Sequence, residues 1–319
     1  MPRYALALAS ALALVVTGCP AAKAGGVEDL SDAQVFAIIG NLWVQVAADE
    51  VGKASVPFNT NDDMLNLDKP GKQILSLPAG GYNNHWTRNL IANAAGTKLY
   101  ITVGSASNVA EHGMAEEARR ANILEINVDG SGERVFASGL RNPNGMDWET
   151  ITGALWTVVN ERDELGDNLV PDYLTSVTDG GFYGWPFSYY GQNVDARVKP
   201  ANPEIVKRAI VPDFGLGAHT ASLGLTFYRG TSLPARFKGG AFIGQHGSWN
   251  RSQFSGYRVA FVPFANGKPS GDVEDFLTGF LSSELTAFGR PVGVIADRTG
   301  ALLVADDAGN RIWRVAAAR

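Results

Sequence analysis

Short runs of apolar residues, each opened by a glycine, recur five times along the chain. In each copy the glycine is followed within one or two residues by an apolar pair and then by further strand-forming residues. Runs of this length and composition behind a turn residue predict β-strands. The copies are Gly40–Val46 (GNLWVQV), Gly96–Val103 (GTKLYITV), Gly153–Val159 (GALWTVV), Gly240–Gln245 (GAFIGQ) and Gly300–Ala305 (GALLVA).

The copies are spaced at a nearly regular interval. Trp43 and Tyr100 are 57 residues apart, and Tyr100 and Trp156 are 56 apart. The next interval, to Phe242, is 86 residues, and the last, to Leu303, is 61. No convincing amphipathic helix accompanies the strands. A period near this length therefore predicts an all-β chain of stacked four-stranded blades, a β-propeller over residues 35–319.

The long interval contains residues 160–218, which are rich in Asp, Gly, Pro and aromatic residues. Loops of this length in a compact domain are usually functional or disordered, and the aromatic content favours an ordered, functional segment. The Ala-rich stretch Met114–Ala121 is expected to form at most a short surface helix.

Residues 1–24 are expected to be a signal peptide, followed by a linker over residues 25–34. Arg3 precedes an apolar stretch, Leu6–Val16, that is too short for a stable membrane span. It leads into the sequence VTGC, which resembles the bacterial lipoprotein box and would make Cys19 a lipidated membrane anchor. The alternative is an ordinary signal peptide cut after Ala24. Both interpretations predict an exported, periplasmic protein.

Composition argues against a nucleic-acid partner and excludes an internal disulfide. The net charge of −5 argues against a nucleic-acid partner, which would require a basic surface. Cys19 is the only cysteine, so the chain has no internal disulfide.

Two segments interrupt the strand pattern with polar residues that a purely structural turn would not need. Asn83–Asn89 (NNHWTRN) contains His85, whose pKa range suits a general base, although packing on Trp86 in a capped turn is the alternative. Gly139–Gly145 (GLRNPNG) contains Arg141, whose planar guanidinium suits carboxylate recognition. A surface arginine in a turn is the alternative there.

An acidic segment and a second pair of histidines add further candidates. Asn160–Asp172 contains five acids, all within 12 residues, which could offer oxygen ligands for Ca²⁺, but a solvated acidic loop is the more usual explanation of such a segment. Gln245–Arg251 (QHGSWNR) carries His246, and His219 lies upstream, without the spacing of a transition-metal site. Neither a nucleophile elbow nor a phosphate-binding loop is present in the sequence.

Together these segments resemble the glucose/sorbosone dehydrogenase family, six-bladed propellers that use pyrroloquinoline quinone (PQQ), and especially its L-sorbosone dehydrogenase-like branch. The resemblance covers about Leu42 to Val315, and its most specific stretches are NHWTRN, GLRNPNG, VNERDELGD, GGFYGWPFSYYG and GQHGSWNR. It implies an oxidoreductase that uses PQQ and Ca²⁺ to oxidise an aldose or sorbosone-like sugar and passes the electrons to an external acceptor.

The resemblance also implies roles for individual residues. His85 matches the general base that takes the proton of the sugar hydroxyl. Arg141 and Asn142 match the pair that contacts PQQ, and Asn160–Glu164 matches the calcium-binding loop. The other implied groups are Arg162, His219, Arg251 and Arg290 for PQQ, and Asp163 and Glu164 for the metal.

Two departures from the family pattern affect these expectations. Ser105 follows Val103 and Gly104 where sugar-oxidising members often carry Asp, which weakens the expected support for His85. The five copies match blades two to six, so most of the first blade is expected to be missing. A non-enzymatic propeller that binds a glycan or protein partner, and a calcium-dependent propeller lactonase, remain alternatives.

Overall fold

The computed structural model describes residues 73–79, 81–282 and 286–317. These residues form twenty strands, one four-residue helix, α1 (Pro203–Val206), and a 3₁₀ turn, Ala235–Phe237. The predicted all-β class is therefore confirmed for this part of the chain. None of its helices has the length and apolar character needed to cross a membrane.

Most strands belong to four antiparallel sheets, numbered here in chain order. Sheet 1 contains β1 (Leu90–Ala92), β2 (Lys98–Val103), β3 (Asn122–Asn127) and β4 (Arg134–Ser138). Sheet 2 contains β5 (Asn142–Trp148), β6 (Leu155–Asn160), β7 (Pro171–Ser176) and β11 (Phe214–Ala218). Sheet 3 contains β12 (Ser222–Phe227), β13 (Ala241–Gln245), β14 (Arg258–Val262) and β17 (Glu274–Leu277). Sheet 4 contains β18 (Pro291–Ala296), β19 (Leu302–Asp306) and β20 (Arg311–Val315).

The repeated sequence pattern corresponds to one structural position. Each of the four copies within the described residues supplies the second strand of its sheet: β2, β6, β13 and β19. This strand pairs on both edges, with the first and the third strand, so its residues are almost all buried. Near-continuous apolar sequence is the consequence of burial on both faces.

The first copy, Gly40–Val46, lies outside the described residues, as do the predicted signal peptide over 1–24, Cys19 and the linker over 25–34. The expected loss of the first blade falls on the same region and stays a prediction.

The first strands of sheets 2, 3 and 4 lie side by side, with β12 between β5 and β18. Glycines permit this close approach. A Cβ at Gly145 would lie 2.5 Å from the backbone nitrogen of Leu225, and one at Gly224 would collide with the carbonyl oxygen of Val292. Between sheets 2 and 3 the rings of Trp156, Phe227 and Phe264 meet edge to face.

The long interval between the repeat copies of sheets 2 and 3, which contains residues 160–218, is ordered, as predicted. It completes sheet 2 with β7 and β11, and it adds the short strand β8 (Gly181–Phe182) in parallel to the outer edge of sheet 1. This segment therefore contributes strands to both sheet 1 and sheet 2 and links the two sheets. The remaining short strands form two hairpins: β9 (Ser188–Tyr189) with β10 (Asn193–Val194), and β15 (Phe264–Ala265) with β16 (Lys268–Pro269).

Candidate active site

The predicted site residues lie in equivalent loops of the four sheets. In an antiparallel sheet the start of the first strand and the end of the second strand lie at the same end of the sheet. We call the loops at this end of the four sheets the site edge. His85, Arg141, His219 and Arg290 precede the first strands of sheets 1, 2, 3 and 4. The segments that follow the second strands of sheets 1, 2 and 3 are 104–108, 161–167 and 246–251.

His85 is held in one tautomer by Ser105. Its Nδ1 lies 2.9 Å from both the carbonyl oxygen and the Oγ of Ser105. Because the Ser105 hydroxyl donates to the Ser107 carbonyl oxygen at 2.6 Å, both groups facing Nδ1 are acceptors. Nδ1 therefore carries the proton, and Nε2 is left with a free lone pair.

The surroundings of His85 favour its neutral form. Burial and the charge of Arg141 lower the pKa of His85 to about 3, against the opposing effect of the Ser105 carbonyl. Arg88 is buried and fixes the loop, since its guanidinium donates to the His85 carbonyl at 2.7 Å and to the Pro78 carbonyl at 3.1 Å. The loop thus presents a neutral imidazole in a fixed orientation.

Gly104 separates His85 from Asn142. A Cβ at position 104 would collide with the Asn142 Oδ1 and would lie 2.5 Å from the His85 Cβ. Asn142 is buried, and its Oδ1 has no hydrogen-bond partner among the described residues. The close packing of His85 against Asn142 therefore requires glycine at position 104, and the Asn142 Oδ1 is a buried acceptor next to this contact.

Arg141 is buried, 3% exposed, and links sheets 1 and 2. Its guanidinium donates to the Glu161 carbonyl at 2.6 Å, to the Asn108 carbonyl at 3.2 Å and Oδ1 at 2.9 Å, and to the Asp163 carboxylate at 2.9 Å. Its own carbonyl accepts the Ser105 backbone N–H at 2.8 Å. Burial lowers the pKa of Arg141, but a guanidinium stays charged at neutral pH.

Asp163 is the residue at which three sheets meet. One carboxylate oxygen binds Arg141, and the other accepts the Asn250 amide at 2.6 Å and lies 3.6 Å from the His219 Nδ1. Burial would raise the pKa of Asp163, but the contacts with His219 and Arg141 lower it to about 2. In turn, the hydrogen bond to Asp163 raises the pKa of His219, whose Nε2 lies 3.0 Å from the Gly166 carbonyl.

Arg162 and Glu164, on either side of Asp163, have different surroundings. Arg162 is fully buried, and its guanidinium binds the Glu161 and Asp195 carboxylates and the Ser188 carbonyl. The Glu164 side chain is 79% exposed and lies 3.7 Å from Arg197. The structure therefore brings Asp163, but neither of its neighbours, into the cluster around Arg141.

Arg251 and Arg290 lie in two further groups. Arg251 donates to the Asp167 carbonyl at 2.8 Å and to the Asn168 Oδ1 at 2.9 Å. Arg290 donates to the Tyr257 hydroxyl at 3.1 Å, and its Nη1 lies 3.4 Å from the His246 Nδ1. Both guanidinium groups stay within the loops of the site edge.

Sequence reasoning did not select Asn108 and Asn250, which bind Arg141 and Asp163. Ser105 was noted only as a departure from the family pattern. A signal was present, because all three residues closely follow a repeat copy and so stand in equivalent loops, Ser105 and Asn108 in sheet 1 and Asn250 in sheet 3.

The site edge fits a planar polyanion better than it fits calcium. Arg141 and Arg290 carry guanidinium groups, and the hydrogen bond to Asp163 raises the pKa of His219, so three sheets each contribute a basic side chain. In contrast, the described residues contain no group of three His, Cys, Asp or Glu side chains arranged to hold a metal. The acidic loop's oxygens already accept N–H groups: these are the Asp163 carboxylate and the carbonyls of Glu161, Asp163, Gly166 and Asp167.

Comparison with known proteins identifies relatives over most of the chain. The profile of the Glucose / Sorbosone dehydrogenase family matches residues 10–248, and a TrAA12-like profile matches residues 194–318. An uncharacterized protein of Borreliella burgdorferi is 33% identical over 242 residues, which are 75% of this chain and 62% of that protein. The aldose sugar dehydrogenase YliI of Escherichia coli is 25% identical over 228 residues, 66% of this chain and 59% of that protein. The chain thus spans less than two thirds of these curated relatives.

Solved structures share the fold. A Trichoderma reesei enzyme of carbohydrate-active family AA12 superposes with a TM-score of 0.66 at 20% identity, covering 80% of this chain and 73% of that one. The PQQ domain of the Coprinopsis cinerea pyranose dehydrogenase gives 0.61 at 22% identity, covering 73% and 70%. A glucose dehydrogenase gives 0.60 at 22% identity, covering 82% and 72%. These likenesses confirm the predicted β-propeller. With its family profile matching most of the sequence, the chain belongs to the glucose/sorbosone dehydrogenase family.

Proposed function

We propose that this protein is a PQQ-dependent dehydrogenase that oxidises a sugar, an aldose or sorbosone-like substrate, and passes the electrons to an external acceptor. The observation that carries the proposal is the state of His85. Its Nδ1 proton is directed at Ser105, which leaves Nε2 unprotonated and able to accept a proton. A relative named aldose sugar dehydrogenase and a fold shared with a PQQ domain support the same chemistry.

His85 supplies the base that sugar oxidation requires. Oxidation of a sugar C–OH group to a carbonyl removes a hydride from carbon and a proton from oxygen. PQQ, when bound, accepts the hydride and with it two electrons. The His85 Nε2 accepts the hydroxyl proton, and its low pKa of about 3 in the quinone-free protein keeps it neutral at pH 7.

The positive groups of the site edge would hold and orient the tricarboxylate cofactor. Arg141 is the central one, because its buried guanidinium lies in the loop directly before Asn142 and its position is fixed by Asn108, Glu161 and Asp163. A fixed cation needs little reorganisation when an anion binds. His219 and Arg290 would add charge from the next two sheets.

Calcium was expected from the resemblance, but the loop does not fit it in the observed arrangement. The Asp163 carboxylate and the neighbouring carbonyls accept hydrogen bonds from Arg141, Arg197 and Arg251. A cation at these oxygens would compete with three guanidinium groups and would meet their positive charge. Export, a periplasmic location and lipidation of Cys19 remain proposals from the sequence.

The test is reconstitution of the full chain with PQQ, in the presence and absence of Ca²⁺, followed by dye reduction with a panel of aldoses and sorbosone. We expect sugar-dependent dye reduction that is lost in His85→Ala while quinone binding is retained. His112→Ala is the matched control, since His112 is exposed and stacks on Tyr82 at 3.3 Å. Lactone hydrolysis or glycan binding without any sugar-dependent reduction would refute the proposal in favour of the two alternatives.

A further inference from the structure

A buried carboxylate stands behind the turn that holds His85. Glu117 is 5% exposed, although it lies in a segment whose sequence predicts at most a short surface helix. That segment, Met114–Ala121, forms turns rather than a helix, and it folds Glu117 inward beneath residues 105–107. We propose that Glu117 is a positioning residue that fixes the tautomer and orientation of His85 through the Ser105–Ser107 turn. The inference rests on the proposed function only for its catalytic consequence.

Both carboxylate oxygens of Glu117 bind this turn. Oε2 accepts the Ala106 backbone N–H at 2.7 Å, and Oε1 accepts the Ser107 hydroxyl at 2.5 Å. The Ser107 carbonyl then accepts the Ser105 hydroxyl, whose oxygen faces the His85 Nδ1. Glu117 therefore fixes the group that obliges the Ser105 hydroxyl to act as an acceptor toward His85.

A second set of contacts ties the same unit to the His85 loop. Arg120 is buried near Glu117 and donates to the Asn83 Oδ1 at 2.6 Å. The Asn84 backbone N–H donates to the Ala106 carbonyl at 2.9 Å. The turn is thus held on one side by Glu117 and on the other by the loop that carries His85, so a shift of the turn changes the geometry at the imidazole.

These contacts offer a physical reason why a serine can stand at position 105. A direct carboxylate partner would order the imidazole by itself. A serine hydroxyl can both donate and accept, so it selects a tautomer only if its own proton is committed elsewhere. In this protein that proton is committed to Ser107, and Glu117 holds Ser107 in place.

The amide variant Glu117→Gln separates this role from simple packing. A carboxylate accepts two hydrogen bonds with its two oxygens, whereas a carboxamide offers one oxygen and one NH₂ group. The glutamine would fill nearly the same volume but leave either the Ala106 N–H or the Ser107 hydroxyl without its acceptor. The matched control is Glu116→Gln, which makes the same charge change at the exposed neighbouring position.

The readout is the ¹⁵N NMR spectrum of the histidine rings in the full chain, which has only four histidines. No quinone is needed. In the wild type and in Glu116→Gln we expect His85 as the Nδ1–H tautomer. In Glu117→Gln we expect the Nδ1–H fraction to fall by about half or more, because Glu117 no longer fixes the Ser105–Ala106 peptide, whose carbonyl accepts from Nδ1, and the Ser105 hydroxyl becomes free to donate. An unchanged tautomer in Glu117→Gln, or the same change in Glu116→Gln, would overturn the proposal.

Ser107→Ala decides the matter if Glu117→Gln does not fold. It removes the hydroxyl that binds Glu117 and keeps the carbonyl that accepts from Ser105, so a partial loss of the Nδ1–H form is expected. An unchanged tautomer in Ser107→Ala would then overturn the role of Glu117.

With PQQ and a sugar substrate, kcat of the Glu117→Gln variant should fall by about tenfold or more, with KM and quinone affinity within about twofold of the wild type. Equal losses in kcat and quinone affinity would indicate general disruption and overturn a positioning role. If the wild type shows no activity, the proposed function fails, while the NMR result still decides whether Glu117 controls His85.

Discussion

Replacing Asp163 by Asn should destabilise the protein and should do so in a pH-dependent way. Asp163 is the only carboxylate that bonds to the buried Arg141 guanidinium among the described residues, and it also accepts from Asn250. An asparagine keeps the shape but places an NH₂ group against one of these donors. The variant therefore loses the ion pair and leaves Arg141 buried without its counter-charge.

The pKa of Asp163 gives the size of the effect. The groups around it lower the pKa from 3.8 to about 2. At 1.36 kcal/mol per pKa unit, the ionised form stabilises the fold by about 2.5 kcal/mol at pH 6. Because the folded-state pKa is lowered, this stabilisation is complete above about pH 5 and is lost as the pH falls through about 2. At pH 3 about 1.3 kcal/mol remains.

The assay is urea unfolding of the wild type and Asp163→Asn at pH 6 and at pH 3. The expected difference in unfolding free energy between the two proteins is about 2.5 kcal/mol at pH 6 and about half of that at pH 3. Glu164→Gln is the matched control: it removes a carboxylate one residue away, but that side chain is 79% exposed and should contribute less than about 0.5 kcal/mol. An equal loss in both variants, or a loss that does not change with pH, would refute the reasoning.

Three further predictions concern the same edge. Gly104→Ala should lower the unfolding free energy by about 1–3 kcal/mol and weaken quinone binding, because the added Cβ collides with His85 and Asn142; a wild-type urea midpoint would contradict this. Burial raises the pKa of Asp172 to about 6, so its ionised form is unfavourable in the fold and the unfolding free energy falls as the pH rises from about 4 to 6. Asp172→Asn should flatten this pH dependence in urea titrations from pH 4 to 8, and an unchanged slope would contradict the prediction. Millimolar Ca²⁺ should leave the melting temperature of the quinone-free protein unchanged, because the Asp163 carboxylate is already neutralised; a rise of several degrees would show that the loop rearranges to bind the ion.

The repeat in the sequence was sufficient to predict the fold. The second strand of each sheet is paired on both edges and buried on both faces, and this environment tolerates only a narrow range of residues. For that reason Gly96–Val103 and Gly240–Gln245 look alike although their sheets differ in the other strands. The segment 160–218 could not be traced in the same way, because its short strands depend on pairing with distant residues. The parallel addition of Gly181–Phe182 to sheet 1 leaves no periodic signal.

The candidate site was predictable at the level of loops rather than of single side chains. Arg162, Asp163 and Glu164 are consecutive, yet the first is fully buried, the second joins the central cluster and the third is exposed. Their directions are set by contacts from other sheets, such as Asn108 and Asn250 against Asp163. The sequence of a loop has no periodic pattern from which these contacts could be inferred.

The distribution of these residues explains how the site edge can hold both a neutral base and several cationic side chains. Each sheet contributes the residue before its first strand, which separates His85, Arg141 and His219 onto three different sheets. Asp163 is shared between Arg141 and His219, and its negative charge raises the pKa of His85 against the larger lowering by burial and by the charge of Arg141. The restrained guanidinium of Arg141 and the electrostatic surroundings of His85 both depend on the position of this carboxylate. Asp163→Asn should therefore lower the pKa of His85 further and leave the imidazole neutral at pH 7, while it destabilises the fold.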